Sequence, residues 1–205
     1  LDNRAKALIA NIIIVLTEIS GFIWHFLHEK ETFRYYTQDS NLFSLIASTA
    51  FAVWLLKNLK TKAKVPMILR MLRYMGATAL SLTFLVVLLI LAPAKGANGH
   101  YIMMFSKWSS FCFHTLCPIL SFISFCFLEK HEKLTMKDNF IVIVPTCIYA
   151  VVLLIMNAAR IIEGPYFFFH IYEQPVWTSI MWLIVLVTFD FLIGLAIRKI
   201  AVAKR

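Results

Sequence analysis

The sequence predicts an all-α membrane protein: a polytopic bundle of six transmembrane helices forming one domain over residues 1–205, with both termini cytoplasmic. Three observations predict it. Of the 205 residues, 60% are hydrophobic and only 15% charged, a balance that a water-facing shell of this size does not accommodate. Six apolar runs are each long enough to cross a hydrocarbon core of about 30 Å, which takes about 20 helical residues. The Lys and Arg residues concentrate in alternate connections, as they do on the cytoplasmic side of membrane proteins.

The first span is expected over residues 7–27. Asn11, Glu18 and His25 recur there at heptad spacing, with Gly21 on the same face. Glu18 and the lack of a small-residue cleavage site argue for a span and against a cleaved leader. The second covers residues 37–56, with Thr37, Asn41, Ser44 and Ser48 forming one helical stripe. The third covers residues 67–91 and stops at Pro93. The fourth, residues 102–128, carries a second stripe of Ser110, His114, Cys117, Ser121 and Ser124. The fifth covers residues 140–159, and the sixth, residues 176–197, contains Asp190. Pro118 and Pro145 lie inside spans four and five, where local distortion is expected.

Arg4 and Lys6, then Lys57, Lys60, Lys62, Lys64, Arg70 and Arg73, then Lys130, Lys133 and Lys137, and finally Arg198, Lys199, Lys204 and Arg205 fall on one face. Only Lys30, Arg34, Lys95, Lys107 and Arg160 fall on the other. Both termini therefore share the basic, cytoplasmic side, which requires an even number of spans. The net charge of +9 follows this topology and points to anionic lipid, not nucleic acid, as the partner. The sequence is that of an integral multi-pass protein, with the plasma membrane the expected site. Cys112, Cys117, Cys126 and Cys147 all fall within spans and show neither disulfide nor metal spacing, so no cofactor is expected.

Ionisable groups at membrane depth are costly and mark sites. His114 is the sharpest of these, because an imidazole there needs a partner or a cavity. Small hydroxyl residues such as the stripe serines serve equally for close helix packing. The outer end of span two, Tyr35 to Asn41, is dense in hydrogen-bonding groups. One account is an aromatic anchor followed by a cap from Thr37 or Asp39. The other is a nucleophilic hydroxyl on Thr37, with first-turn N–H groups or Asn41 available to an oxyanion. On these boundaries His114 lies about 8–12 residues into its span, roughly 12–18 Å deep. It meets Thr37 only if the outer end of span two is itself buried or begins earlier.

Tyr35-Tyr36-Thr37-Gln38-Asp39-Ser40-Asn41-Leu42 together with Phe113-His114-Thr115-Leu116-Cys117-Pro118 resembles the androgen-induced-protein family and its bacterial six-helix relatives. The likeness extends to length, span number and motif positions over most of the chain. It implies a membrane hydrolase that cleaves acyl esters such as fatty-acid esters of hydroxy fatty acids, with Thr37 as nucleophile and His114 as base. Gly164-Pro165-Tyr166 through Gln174-Pro175 is similar to that family's aromatic, Pro-containing loop before the last span. Glu173-Gln174-Pro175 and Gln38-Asp39-Ser40-Asn41 look like the bacterial branch, whereas hydrolysis of these lipids belongs to the animal branch.

No third catalytic member is evident. Asp39 and Glu173 are candidates to orient the imidazole, and Asn41, Glu18 and His25 are further supporting candidates. Two other functions stay open. His25, His28, His100, His114 and His170, with Asp39 and Glu173, all fall toward the outer half and offer zinc-type ligands, without an HxxxH pair. Glu18 and Asp190 sit where proton-coupled carriers place carboxylates. Arg160 is expected to snorkel or to pair with Glu163. Tyr166 to Phe169, with Tyr172 and Trp177, reads as an interfacial belt or a re-entrant lid.

Overall fold

A computed structural model describes residues 2–30, 33–61, 63–129 and 134–203; Lys62, Lys130, Lys133, Lys204 and Arg205, counted above for the inner face, lie outside them. Six helices are long and apolar enough to cross a membrane: α1 (Asn3–His28), α2 (Tyr36–Asn58), α3 (Met67–Ala94), α5 (Trp108–Leu128), α6 (Met136–Ala158) and α7 (Val176–Ala203). A short helix, α4 (Gly99–Met104), connects α3 to α5. Among the described residues there is no strand. The chain is an integral, multi-pass helical membrane protein.

The bundle is apolar outside and polar inside. Ile9, Ile12, Leu16, Ile19 and Ile23 face outward from α1, while Asn11, Glu18 and Gly21 on its opposite face are buried. Asn41, Ser44 and Ser48 of α2 and Cys117, Ser121 and Ser124 of α5 are likewise buried, so the stripes legible in sequence face one another. Small residues set the approach. Gly76 of α3 lies against Ser44, and Gly21 lies against Cys112 and Phe113 of α5. A Cβ on Gly21 would come within 2.7 Å of the Phe113 ring. Gly21→Ala is therefore expected to destabilise the protein by about 1–3 kcal/mol, read as a lower melting temperature in detergent.

Two of the boundaries that differ from expectation have a local cause. The third span does not stop at Pro93. A wide π turn over Val87–Leu91 absorbs the proline, and the helix runs on to Ala94. Proline both lacks an N–H and clashes with the carbonyl four residues back, and one extra residue in the turn relieves both. The fourth span starts at Trp108, not Ile102, because residues 99–104 form the separate helix α4. Pro118 follows a second π turn, Cys112–Leu116, and Pro145 follows a break at Ile143 between Val142 and Val144. Both interior prolines thus sit at the distortions expected of them.

Arg73, counted above with a cytoplasmic loop, is fully buried inside the bundle. Its Nε and Nη2 donate to Glu129 Oε1 at 3.0 and 2.8 Å, and Nη1 donates to Ser48 Oγ at 2.8 Å. Asn11 Nδ2 and Ser124 Oγ donate to the same Glu129 oxygen at 3.2 and 2.9 Å. This cluster joins α1, α2, α3 and the inner end of α5. A second tie joins α3, α6 and α7: the Tyr74 hydroxyl lies 2.7 Å from both Asn139 Oδ1 and the Gly194 carbonyl.

Candidate active site

Pro118 shapes the segment that carries His114. The carbonyl four residues before Pro118 is that of His114 itself, so the π turn over Cys112–Leu116 forms around this residue. With α5 starting at Trp108, His114 is only about 9 Å along the helix axis, against the greater depth expected from the sequence. The N-terminal end of α2 is in turn covered by the segment before α7, where Tyr166 meets the Tyr36 N–H and Phe168 and Phe169 are buried against α6 and α7. The two depths now agree, and Thr37 Oγ1 lies 3.2 Å from His114 Nε2.

The other ring nitrogen fixes the proton. His114 Nδ1 is 2.6 Å from the Met103 carbonyl oxygen. A carbonyl only accepts, so Nδ1 carries the hydrogen, and in the neutral imidazole Nε2 is a lone pair that receives the Thr37 hydroxyl proton. Met103 belongs to α4, which is docked on the end of α3. The His100 ring donates through Nε2 to the Leu88 carbonyl at 3.0 Å, and a Cβ on Gly99 would fall 1.8 Å from the Ala92 carbonyl oxygen. Gly99→Ala is expected to push α4 off α3 and lower any turnover that depends on His114, while leaving the Arg73–Glu129 cluster intact; comparing kcat with the melting temperature checks this.

Thr37 is the second residue of α2, not its cap. The cap position is Tyr35, whose N–H donates to Gln38 Oε1 at 3.3 Å. The Thr37 side chain is thus not used as a cap and meets both His114 and Tyr166. Asn41 Nδ2 donates to the Thr37 carbonyl at 2.7 Å and to the Phe113 carbonyl at 3.3 Å, tying the two strands of backbone that carry the pair. Both amide protons are spent there, which makes Asn41 a brace and not an oxyanion donor. His25 Nε2 contacts Gln38 Nε2 at 3.1 Å and so supports the start of α2. Glu18 is buried beside Ser44 and Cys117, about two turns below Thr37.

Asp39 and Glu173 are not brought to the imidazole. Asp39 faces a separate outer cavity with Lys30, Arg34 and Glu163. Glu173 Oε2 is 3.0 Å from His170 Nδ1. The five outer histidines are dispersed: His28 bonds the Trp24 carbonyl, and the one cluster of metal-binding side chains among the described residues is Glu163, His170 and Glu173, at the surface. Arg160 stacks over the Tyr172 ring at 4.7 Å.

Two cavities meet at Thr37. A vestibule of about 540 Å³ holds His114, His25, Lys95 and Lys107 on its wall; Lys107 pairs with Glu29 at the rim. An apolar slot runs the other way between α2, α3, α6 and α7, lined by Leu82, Val86, Leu183 and Leu186. Tyr166 borders both. Its hydroxyl accepts from the Tyr36 N–H at 3.0 Å and lies beside the hydroxyls of Thr37 and Tyr149. The sequence offered Tyr166 only as part of an aromatic belt, and the Met103 carbonyl has no sequence signal at all. Comparison with protein-family models, curated proteins and solved structures returns no match.

Proposed function

We propose that this chain is an intramembrane lipid-ester hydrolase, with Thr37 as nucleophile and His114 as base. The observation that carries the reading is the contact chain Thr37 Oγ1–H to His114 Nε2 and Nδ1–H to Met103 O. It supplies a hydroxyl, a lone pair aimed at it, and a group that holds the ring in that tautomer. The reading agrees with the resemblance to the androgen-induced-protein family and its six-helix bacterial relatives.

In the proposed cycle Thr37 Oγ attacks the ester carbonyl and its proton passes to Nε2. The tetrahedral intermediate collapses, the C–O bond to the alcohol breaks, and Nε2–H protonates the leaving alkoxide. Water then attacks the acyl-threonine, giving its proton to Nε2. Collapse of that second intermediate releases the fatty acid and returns the proton to Thr37. The start of the acyl chain lies in the apolar slot, reached laterally from lipid, and the alcohol portion lies in the vestibule. At about 50 Å³ the slot is narrow, so a long chain enters only as α6 and α7 part from α3. No cofactor takes part. We place both termini in the cytoplasm and the dyad in the outer leaflet of the plasma membrane, on the strength of the basic residues alone.

A fluorophosphonate probe tests the nucleophile. Mass spectrometry is expected to find the adduct on Thr37, retained in Thr37→Ser and absent from Thr37→Ala and His114→Ala. An adduct that persists in Thr37→Ala refutes the assignment. Elemental analysis and chelation separate it from a metal-dependent enzyme, and lipid flux into liposomes that survives in Thr37→Ala would favour a carrier.

A further inference from the structure

Resting on the hydrolase reading, we propose that the Tyr166 hydroxyl is an oxyanion donor of this site and so a catalytic residue in its own right. The placement is specific. Tyr166 belongs to the segment between α6 and α7, remote in sequence from both Thr37 and His114, yet it stands where vestibule and slot join at the nucleophile. The Tyr36 N–H, at the start of α2, donates to the Tyr166 oxygen at 3.0 Å. That contact uses a lone pair of the phenol, so its proton goes to one of the hydroxyl oxygens beside it, Thr37 or Tyr149, until a stronger acceptor forms at Thr37. A donor receiving a hydrogen bond from a helix N-terminus is itself polarised and gives the stronger bond.

The ring is held where it stands. Tyr166 stacks on Phe168 at 5.1 Å between centroids and meets Tyr35 edge-on at 5.9 Å. Burial pushes the phenol well above its ordinary range, so it keeps its proton throughout the working pH range. Thr37 Oγ1 and the carbonyl oxygen it creates as O⁻ are bound to the same carbon. A donor beside the Thr37 hydroxyl is therefore within reach of the developing charge. On attack the electron pair of C=O moves to oxygen, the Tyr166 O–H hydrogen-bonds it without transferring its proton, and the bond slackens as the carbonyl re-forms.

The test compares wild type with Tyr166→Phe on p-nitrophenyl octanoate and on its thionoester, in which sulfur replaces the carbonyl oxygen. Sulfur is larger and a weaker acceptor, so an oxyanion donor shows itself as preference for the oxoester. Tyr166→Phe is expected to lower kcat on the oxoester on the order of 10²-fold, with KM changed by less than about twofold. The oxoester-to-thionoester ratio should shrink in the variant. Phe preserves the stacks on Phe168 and Tyr35, and the ratio is independent of how much enzyme is folded, because both esters meet the same molecules. An unchanged kcat, or equal losses on both esters, overturns the role of Tyr166 while Thr37→Ala remains inactive. Turnover that survives in Thr37→Ala overturns the hydrolase reading itself, and this proposal with it.

Discussion

His114→Asn is expected to lower kcat for ester hydrolysis by about 10²–10⁴-fold while leaving KM almost unchanged. Asparagine can keep a hydrogen bond to the Met103 carbonyl and so preserve the packing of α4, but it has no lone pair of comparable basicity to offer Thr37. The double variant Thr37→Ala/His114→Asn should be no slower than the worse single variant, because the two residues act as one unit. Additive losses would show that they act separately. Acidification should silence the wild type in the same manner, since a protonated Nε2 cannot accept from Thr37.

The largest effect on stability is expected from Glu129→Ala, at about 3–5 kcal/mol. This change leaves the Arg73 guanidinium buried against the Ser48 and Ser121 hydroxyls in place of a carboxylate. Replacing both partners, Arg73→Met with Glu129→Leu, should recover a large part of the loss, because the guanidinium is then removed together with its carboxylate. Thermal melting in detergent distinguishes the two. A Glu129→Ala protein that melts with wild type would show that the pair contributes little to the bundle. Neither change is expected to touch the Thr37–His114 geometry, which lies at the opposite end of α5.

The spans were legible because length and hydropathy alone decide whether a helix can cross a bilayer, and the polar stripes because helical periodicity survives burial. The start of α5 was not. Residues 102–105 are apolar enough to extend a span, and the docking of Gly99 and His100 onto α3 separates α4 from it. Arg73 was miscounted for a related reason: near the end of a span, sequence does not distinguish a snorkelling arginine from one drawn inward by a carboxylate 56 positions away. Thr37, His114 and Asn41 were visible as residues. The Met103 carbonyl was not, since every residue carries one, and Tyr166 was hidden among aromatics that serve equally as interfacial anchors. Asp39 and Glu173 drew notice because carboxylates commonly orient histidines, but here a backbone oxygen occupies that position.

That backbone oxygen has an electrical consequence. A carboxylate behind the imidazole would place a formal charge near the hydrocarbon at all times, whereas the Met103 carbonyl offers a dipole. The threonine, histidine and carbonyl together are then neutral at rest, and an uncharged ester entering through the apolar slot meets no charged side chain on its lining. The counterpart is that the imidazolium formed during attack has no anion behind it. On the proposed hydrolase reading, turnover should accordingly be slow beside water-soluble hydrolases with a Ser-His-Asp triad.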